Sequence, residues 1–208
     1  MVGTVNSLFI GIIATAIATA LGTMAALGLS RPHMPYKALI MSILISPMIV
    51  PLIITAAGMF FFYARINLVY TFTGVILAHV ALATPFVVIT VTATLVGFDM
   101  NMVKAAQSLG ARPIRTFFKV IMPLILPGII SGALFAFITS FDEVVIVMFM
   151  ASIDQLTIPK QMWAGIRQEI SPVILCMATC LVILSIVLLT TVELLRRRSE
   201  RLRGIKSR

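Results

Sequence analysis

Residues 104–123, from Lys104 to Pro123, read KAAQSLGARPIRTFFKVIMP. The stretch is basic and amphipathic, and it interrupts sequence that is otherwise mostly apolar. It opens on Ala105 and Ala106, reaches Gly110, passes through Arg112, Pro113, Arg115 and Lys119, and ends on Pro123. Asp99, just ahead, is suited to accept hydrogen bonds from the free amides of a helix over 100–109. Gly110 takes the left-handed conformation that ends a helix at little cost, and Pro113 fits the first turn of the next one. The spacing predicts a helix–turn–helix hairpin in loop 99–123. Its second short helix, near 113–120, shows Phe117 and Phe118 beside Arg112, Arg115 and Lys119. On these features alone the hairpin lies either with its aromatics in lipid and its cations at headgroups, or in a groove of another protein.

The sequence on either side is membrane-grade. Of 208 residues, 60% are hydrophobic and 11% charged, against roughly 25% charged in a soluble domain. Too few charges remain to coat a water-facing surface, so the chain reads as an all-α, multi-pass transmembrane bundle. Five segments are long and apolar enough to cross: about 4–29, 38–63, 70–98, 124–150 and 172–195. The first lacks a basic leader and is too long for a cleaved signal, so it reads as a retained helix. Ala14, Ala18 and Gly22 line it at helical spacing, a row that permits close helix packing in lipid. Pro47 and Pro51 in the second segment, and Pro85 in the third, are expected to bend their helices.

The net charge of +9 gathers between these segments and in the tail 196–208. That distribution belongs to membrane orientation, with lipid headgroups as the contact, and not to nucleic acid. Arg31 and Lys37 follow the first span, Lys104 to Lys119 the third, and seven basic residues the fifth; the other loops hold Arg65, Lys160 and Arg167. The positive-inside rule then places the N-terminus outside and the C-terminus in the cytoplasm. Cys176 and Cys180, four apart in an apolar run, share a helical face as packing residues, without the ligand set of a metal site. His79, within the third span, reads as a hydrogen-bonded packing residue, and His33 belongs to a basic loop.

One acidic pair falls inside a span. If the fourth helix starts near Leu124, Asp142 lies about 27 Å along it, and Asp142-Glu143 has apolar sequence on both sides. An ionised carboxylate there needs water, a cation or a hydrogen-bonding partner. Either the pair caps or breaks the helix or pairs with His79 or Arg167, or a carboxylate faces a translocation path and attracts a cation. Beyond it, Trp163 with Ile166 and Ile170 makes one apolar face of a short external helix, with Arg167 and Glu169 turned to water. An interfacial belt accounts for the tryptophan, and so does an external gate or protein contact. Adjacent carboxylates point about 100° apart on a helix, a poor acid–base dyad, which argues against an integral-membrane enzyme.

The order Ala-Ala, three residues, Gly, then Pro123 in register resembles the EAA loop of type I ABC importer permeases, the inner-membrane components of binding-protein-dependent transport systems. Val120 and Met122 stand where that family has Ile and Leu, and Lys104 stands where it has Glu, a reversal of charge. The resemblance covers nearly the whole chain. It implies that 1–195 is the permease domain and 196–208 a basic cytoplasmic tail, with either a further span ahead of the first or the five-span form that also occurs in this fold family. It assigns Ala105, Ala106, Gly110, Arg112, Pro113, Arg115, Phe117, Phe118 and Pro123 to docking on an ATPase subunit. It also implies an ATPase dimer that holds ATP and Mg, a second permease subunit, sister or identical, and an extracytoplasmic solute-binding protein. This chain has no GxxxxGK[ST] phosphate loop and is expected to bind no cofactor itself. SFDEVVIVMFM and LTIPKQMWAGIRQEISP are similar to the matching parts of spermidine/putrescine permeases. Asp142, Glu143 and Trp163 are thereby candidate path residues for a polyamine. Amino acid derivatives, phosphonate and iron are the alternative solutes, and phosphonate would require basic groups in the path where this chain has acids.

Overall fold

Glycine and alanine set how closely the central helices approach. The computed structural model describes residues 2–31, 34–99, 101–168 and 172–202. In chain order its helices are α1 (Val2–Leu29), α2 (Lys37–Ile49), α3 (Leu52–Arg65), α4 (Phe72–Val96), α5 (Asn101–Ser108), α6 (Pro113–Thr116), α7 (Met122–Phe141), α8 (Val145–Met150), α9 (Ile158–Gln168) and α10 (Pro172–Leu202). A π-helical turn, Phe117–Ile121, joins α6 to α7. Among the described residues there is no strand, as the all-α reading expects.

The core is α1, α4 and α7. The row Ala14, Ala18, Gly22 is fully buried, and it extends to Ala26. A Cβ on Gly22 would lie 2.6 Å from Val87 Cβ of α4. From the other side, Gly132 of α7 would meet Val87 Cα at 3.0 Å, and Gly128 would meet the Thr94 hydroxyl. Both neighbours thus press on one face of α4, close enough for dispersion between backbones to replace the absent hydrophobic drive. Phe9 of α1 stacks edge-on against Phe72 of α4 at 5.7 Å, and Gly11 faces Phe137 of α7. With Gly22 beside Val87, these contacts make α1 and α4 parallel and α7 antiparallel to them.

Hydrogen bonds mark one end of the bundle. Asn6 Nδ2 donates to Asp154 O at 2.7 Å and Leu156 O at 3.0 Å, Ile158 N donates to Ser7 Oγ at 2.9 Å, and Tyr70 N donates to Met150 O at 2.9 Å. The opposite end carries Arg31, Lys37 and the basic hairpin.

Three expectations change. The second expected span, 38–63, is two helices, α2 and α3, set at 105° across Val50 and Pro51. The prolines explain it: Pro47 denies an amide to Ile43 O, which accepts from Ser46 Oγ at 2.8 Å, and Pro51 denies one to Pro47 O. Pro85, by contrast, stays inside an unbroken α4, buried and packed. The fourth expected span, 124–150, is not one helix either. It stops at Phe141, residues 142–144 are non-helical, and α8 follows. Its start also differs: the short helix near 113–120 does not end there but runs through the π-turn into α7, so Pro113–Phe141 is one 29-residue rod.

Among the described residues, three helices are long and apolar enough to cross a membrane, or four if the bent pair is one span. The last expected span lies within α10, whose described apolar part is Leu175–Val187. Cys176 and Cys180 are both exposed, so they do not pack within the chain as expected. His33, Glu169 and Ile170, the Arg167 side chain and the side chains of the basic tail lie outside the described residues.

Candidate functional site

The hairpin is built as its residue types require. Asp99 Oδ1 accepts from Asn101 N at 2.9 Å at the start of α5. At its other end Gly110 has φ +78°. Gly110 N donates to Gln107 O at 2.9 Å and Ala111 N to Ala106 O at 3.0 Å, the paired bonds of a Schellman motif, which satisfy two otherwise open carbonyls. Ala106 is thus an anchor of the turn, while Ala105 is exposed. Arg112 (φ −66°, ψ 154°) is the N-cap residue of α6, and Pro113 opens that helix. Thr116 is buried and its hydroxyl donates back to Arg112 O at 3.2 Å. Phe117 is half-buried and meets the exposed Phe118 edge-on at 5.1 Å. Arg112, Arg115, Lys119 and Pro123 are exposed. The sequence reading missed Leu109 and Ile114, which are 89% and 75% exposed. With Phe118 they are three exposed apolar side chains in a stretch that also carries Arg112, Arg115 and Lys119. Their signal was an apolar residue on each side of a glycine turn.

The acidic pair is separated by the break after α7. Asp142 is exposed and ends α7; Glu143 is buried. Glu143 Oε1 accepts from Ile146 N at 2.8 Å, so its carboxylate caps α8. The pairing with His79 does not occur. His79 Nδ1 instead shares a 2.8 Å hydrogen bond with Ser140 Oγ, inside the contact between α4 and α7. This agrees with its reading as a hydrogen-bonded packing residue.

Glu143 also lines a cavity of about 390 Å³. Its other walls are the break between α2 and α3 (47–52), Leu82, Phe86 and Thr139. Asp142 and Trp163 are not among the lining residues. A larger groove of about 750 Å³ between α1 and α7 has no charged residue in its lining, so it offers nothing to orient an ionic solute. Trp163 and Ile166 are exposed on α9. Lys160 of the same helix donates to Val147 O at 3.2 Å and Ala151 O at 2.9 Å, at the end of α8, and its burial pulls its pKa down. Of the three path candidates, Glu143 lines this cavity, while Asp142 and Trp163 are exposed.

Comparison with known proteins agrees with this architecture. The spermidine/putrescine transport system permease protein PotC of Haemophilus influenzae is 29% identical over 196 residues, covering 94% of this chain and 76% of that protein. The trehalose transport system permease protein SugB of Mycobacterium tuberculosis is 32% identical over 148 residues, covering 71% and 54%. A crystal structure of an amino acid ABC transporter with histidines superposes with a TM-score of 0.68 at 19% identity, covering 94% of this chain and 92% of that one. The model of the family described as binding-protein-dependent transport system inner membrane component matches residues 18–201. The chain belongs to that family, the permease subunits of ABC importers.

Proposed function

We propose that this permease moves a polyamine, such as putrescine or spermidine, across a bacterial-type inner membrane by alternating access. The basic end of the bundle faces the cytoplasm, the C-terminal tail lies on that side by the positive-inside rule, and the hairpin docks there on a separate ATPase subunit. ATP and Mg sit on the ATPase dimer, and closing of that dimer pushes the hairpin. A binding protein delivers the solute from the other side, and a second permease, sister or identical, completes the path.

The observation that carries the solute class is a carboxylate at the membrane break. Glu143 lines a cavity beside the bent α2–α3 pair, and Asp142 beside it is exposed. Intramembrane acids that face a cavity mark cation paths. The likeness to PotC over 94% of the chain supports the same class. The likeness to SugB makes a sugar the competing solute.

The test is ATP-dependent uptake of radiolabelled putrescine and spermidine in proteoliposomes, with the chain reconstituted alongside its ATPase, second permease and binding protein. Saturable uptake is expected, with a raised KM in Asp142→Asn. A complex that couples ATP hydrolysis to the binding protein yet takes up no polyamine would keep the importer and reject the solute. Uptake of trehalose by that complex would replace it.

A further inference from the structure

Phe117–Ile121 is a π-turn inside a rod that is otherwise α-helical from Pro113 to Phe141. Met122 N donates to Phe117 O, five residues back, where an α-helix would have it reach Phe118. The turn stands directly before Pro123. In an α-register the ring of Pro123 would press on the carbonyl four residues back, that of Lys119; a wider turn relieves that contact. Phe118 O loses its α-helical donor, because Met122 N is bonded to Phe117. Its donor in π-register would be residue 123, which has no N–H. Pro85 and Pro127 sit inside α4 and α7 without a π-turn before them. Pro85 is buried, and Pro127 adjoins Gly128, which is pressed against Thr94. Packing holds the α-register at both, whereas Pro123 is exposed at the basic end. A π-turn amounts to one residue inserted in a helix, and such turns are frequent at functional sites. One residue corresponds to about 100° of rotation and 1.5 Å of rise.

We propose that Pro123 is a positioning residue. By holding the π-turn open, it sets the rotation of the α5–α6 hairpin about the axis of α7. It thereby decides which way the exposed side chains of Leu109, Ile114 and Phe118 face. That the hairpin meets an ATPase rests on the function proposed above; the setting angle is a property of this chain.

The test uses the full chain in lipid nanodiscs, with Cys176→Ser and Cys180→Ser and spin labels on cysteines at Leu109 and Leu126. Pro123→Ala is expected to let the turn relax to α and move the label pair by about 5 Å, half a helix diameter. Deleting Val120 from Pro123→Ala removes the extra residue and is expected to restore the wild-type distance. In the complete transporter, Pro123→Ala is expected to lower ATP-driven uptake about tenfold with the ATPase still bound, and the deletion to recover it. An unchanged distance in Pro123→Ala, or a changed one that the deletion does not restore, would overturn the proposal. If no variant, wild type included, binds an ATPase, the coupling reading falls, and the label distances still decide the role of Pro123.

Discussion

Gly110 has nothing within 4 Å of where a Cβ would be, so any cost of replacing it is conformational. An L-residue held left-handed costs about 1–2 kcal/mol, less for Asn, and a β-branched residue is the worst case. ATPase coupling in the reconstituted transporter should therefore fall in the order Asn, Ala, Val at position 110. Equal coupling in all three would show that the left-handed turn is dispensable. Glu143→Ala removes the cap on Ile146 N and should cost about 1 kcal/mol, read as a lower thermal transition in detergent. Asp142→Asn should leave that transition in place while changing uptake. At this scale the sequence was legible where chemistry is local. Gly110, Pro113 and Asp99 each act on backbone within a few positions, and each does what its type predicts. The partner of His79 was not legible, because Ser140 is 61 residues away and nothing in an apolar helix singles out one hydroxyl.

Among the elements, α1 and α4 depend on the absent Cβ of Gly22. Gly22→Ala places that atom 2.6 Å from Val87 Cβ, and overpacking of this kind costs about 1–3 kcal/mol. The variant should lose monodisperse yield in size-exclusion chromatography, and Val87→Gly in the same chain, which removes the opposing Cβ, should restore it. Failure of that rescue would mean the contact is not the one that sets the spacing. Hydropathy located α1 and α4 well: α1 has no proline, and Pro85 of α4 is buried in an unbroken helix. It overran the other two spans for separate reasons. The second remains apolar through Pro47 and Pro51, so hydropathy ran across a 105° break that the prolines had signalled only as a bend. The fourth breaks at 142–144, where no proline or glycine stands and the acidic pair is the signal, one of its two readings being that it caps or breaks the helix; the Glu143 cap on the following helix provides the alternative to continuing. The π-turn left still less trace, because its cause, Pro123, looks the same as a proline that α7 tolerates.

For the whole molecule, the parallel pair α1 and α4 with antiparallel α7 puts Leu109 and Ile153 at opposite ends, 89% and 82% exposed. In a Cys176→Ser, Cys180→Ser chain in intact cells, an impermeant maleimide should label Ile153→Cys and leave Leu109→Cys untouched until the membrane is opened. The reverse result would invert the proposed orientation. The basic loops made these two ends legible from sequence. The hydrogen bonds that join Asn6 and Ser7 to residues 154–158 had no sequence signal. Those bonds close over 148 to 151 positions, which has a consequence for biogenesis. At roughly 5–20 residues per second, a ribosome needs on the order of ten to thirty seconds after making Asn6 to deliver its acceptors. Through that interval the second turn of α1 holds a buried-to-be side-chain amide, that of Asn6, without its native acceptors. This end of α1 is therefore among the last parts of the bundle to settle, and the insertion machinery or interfacial water must attend to it until then.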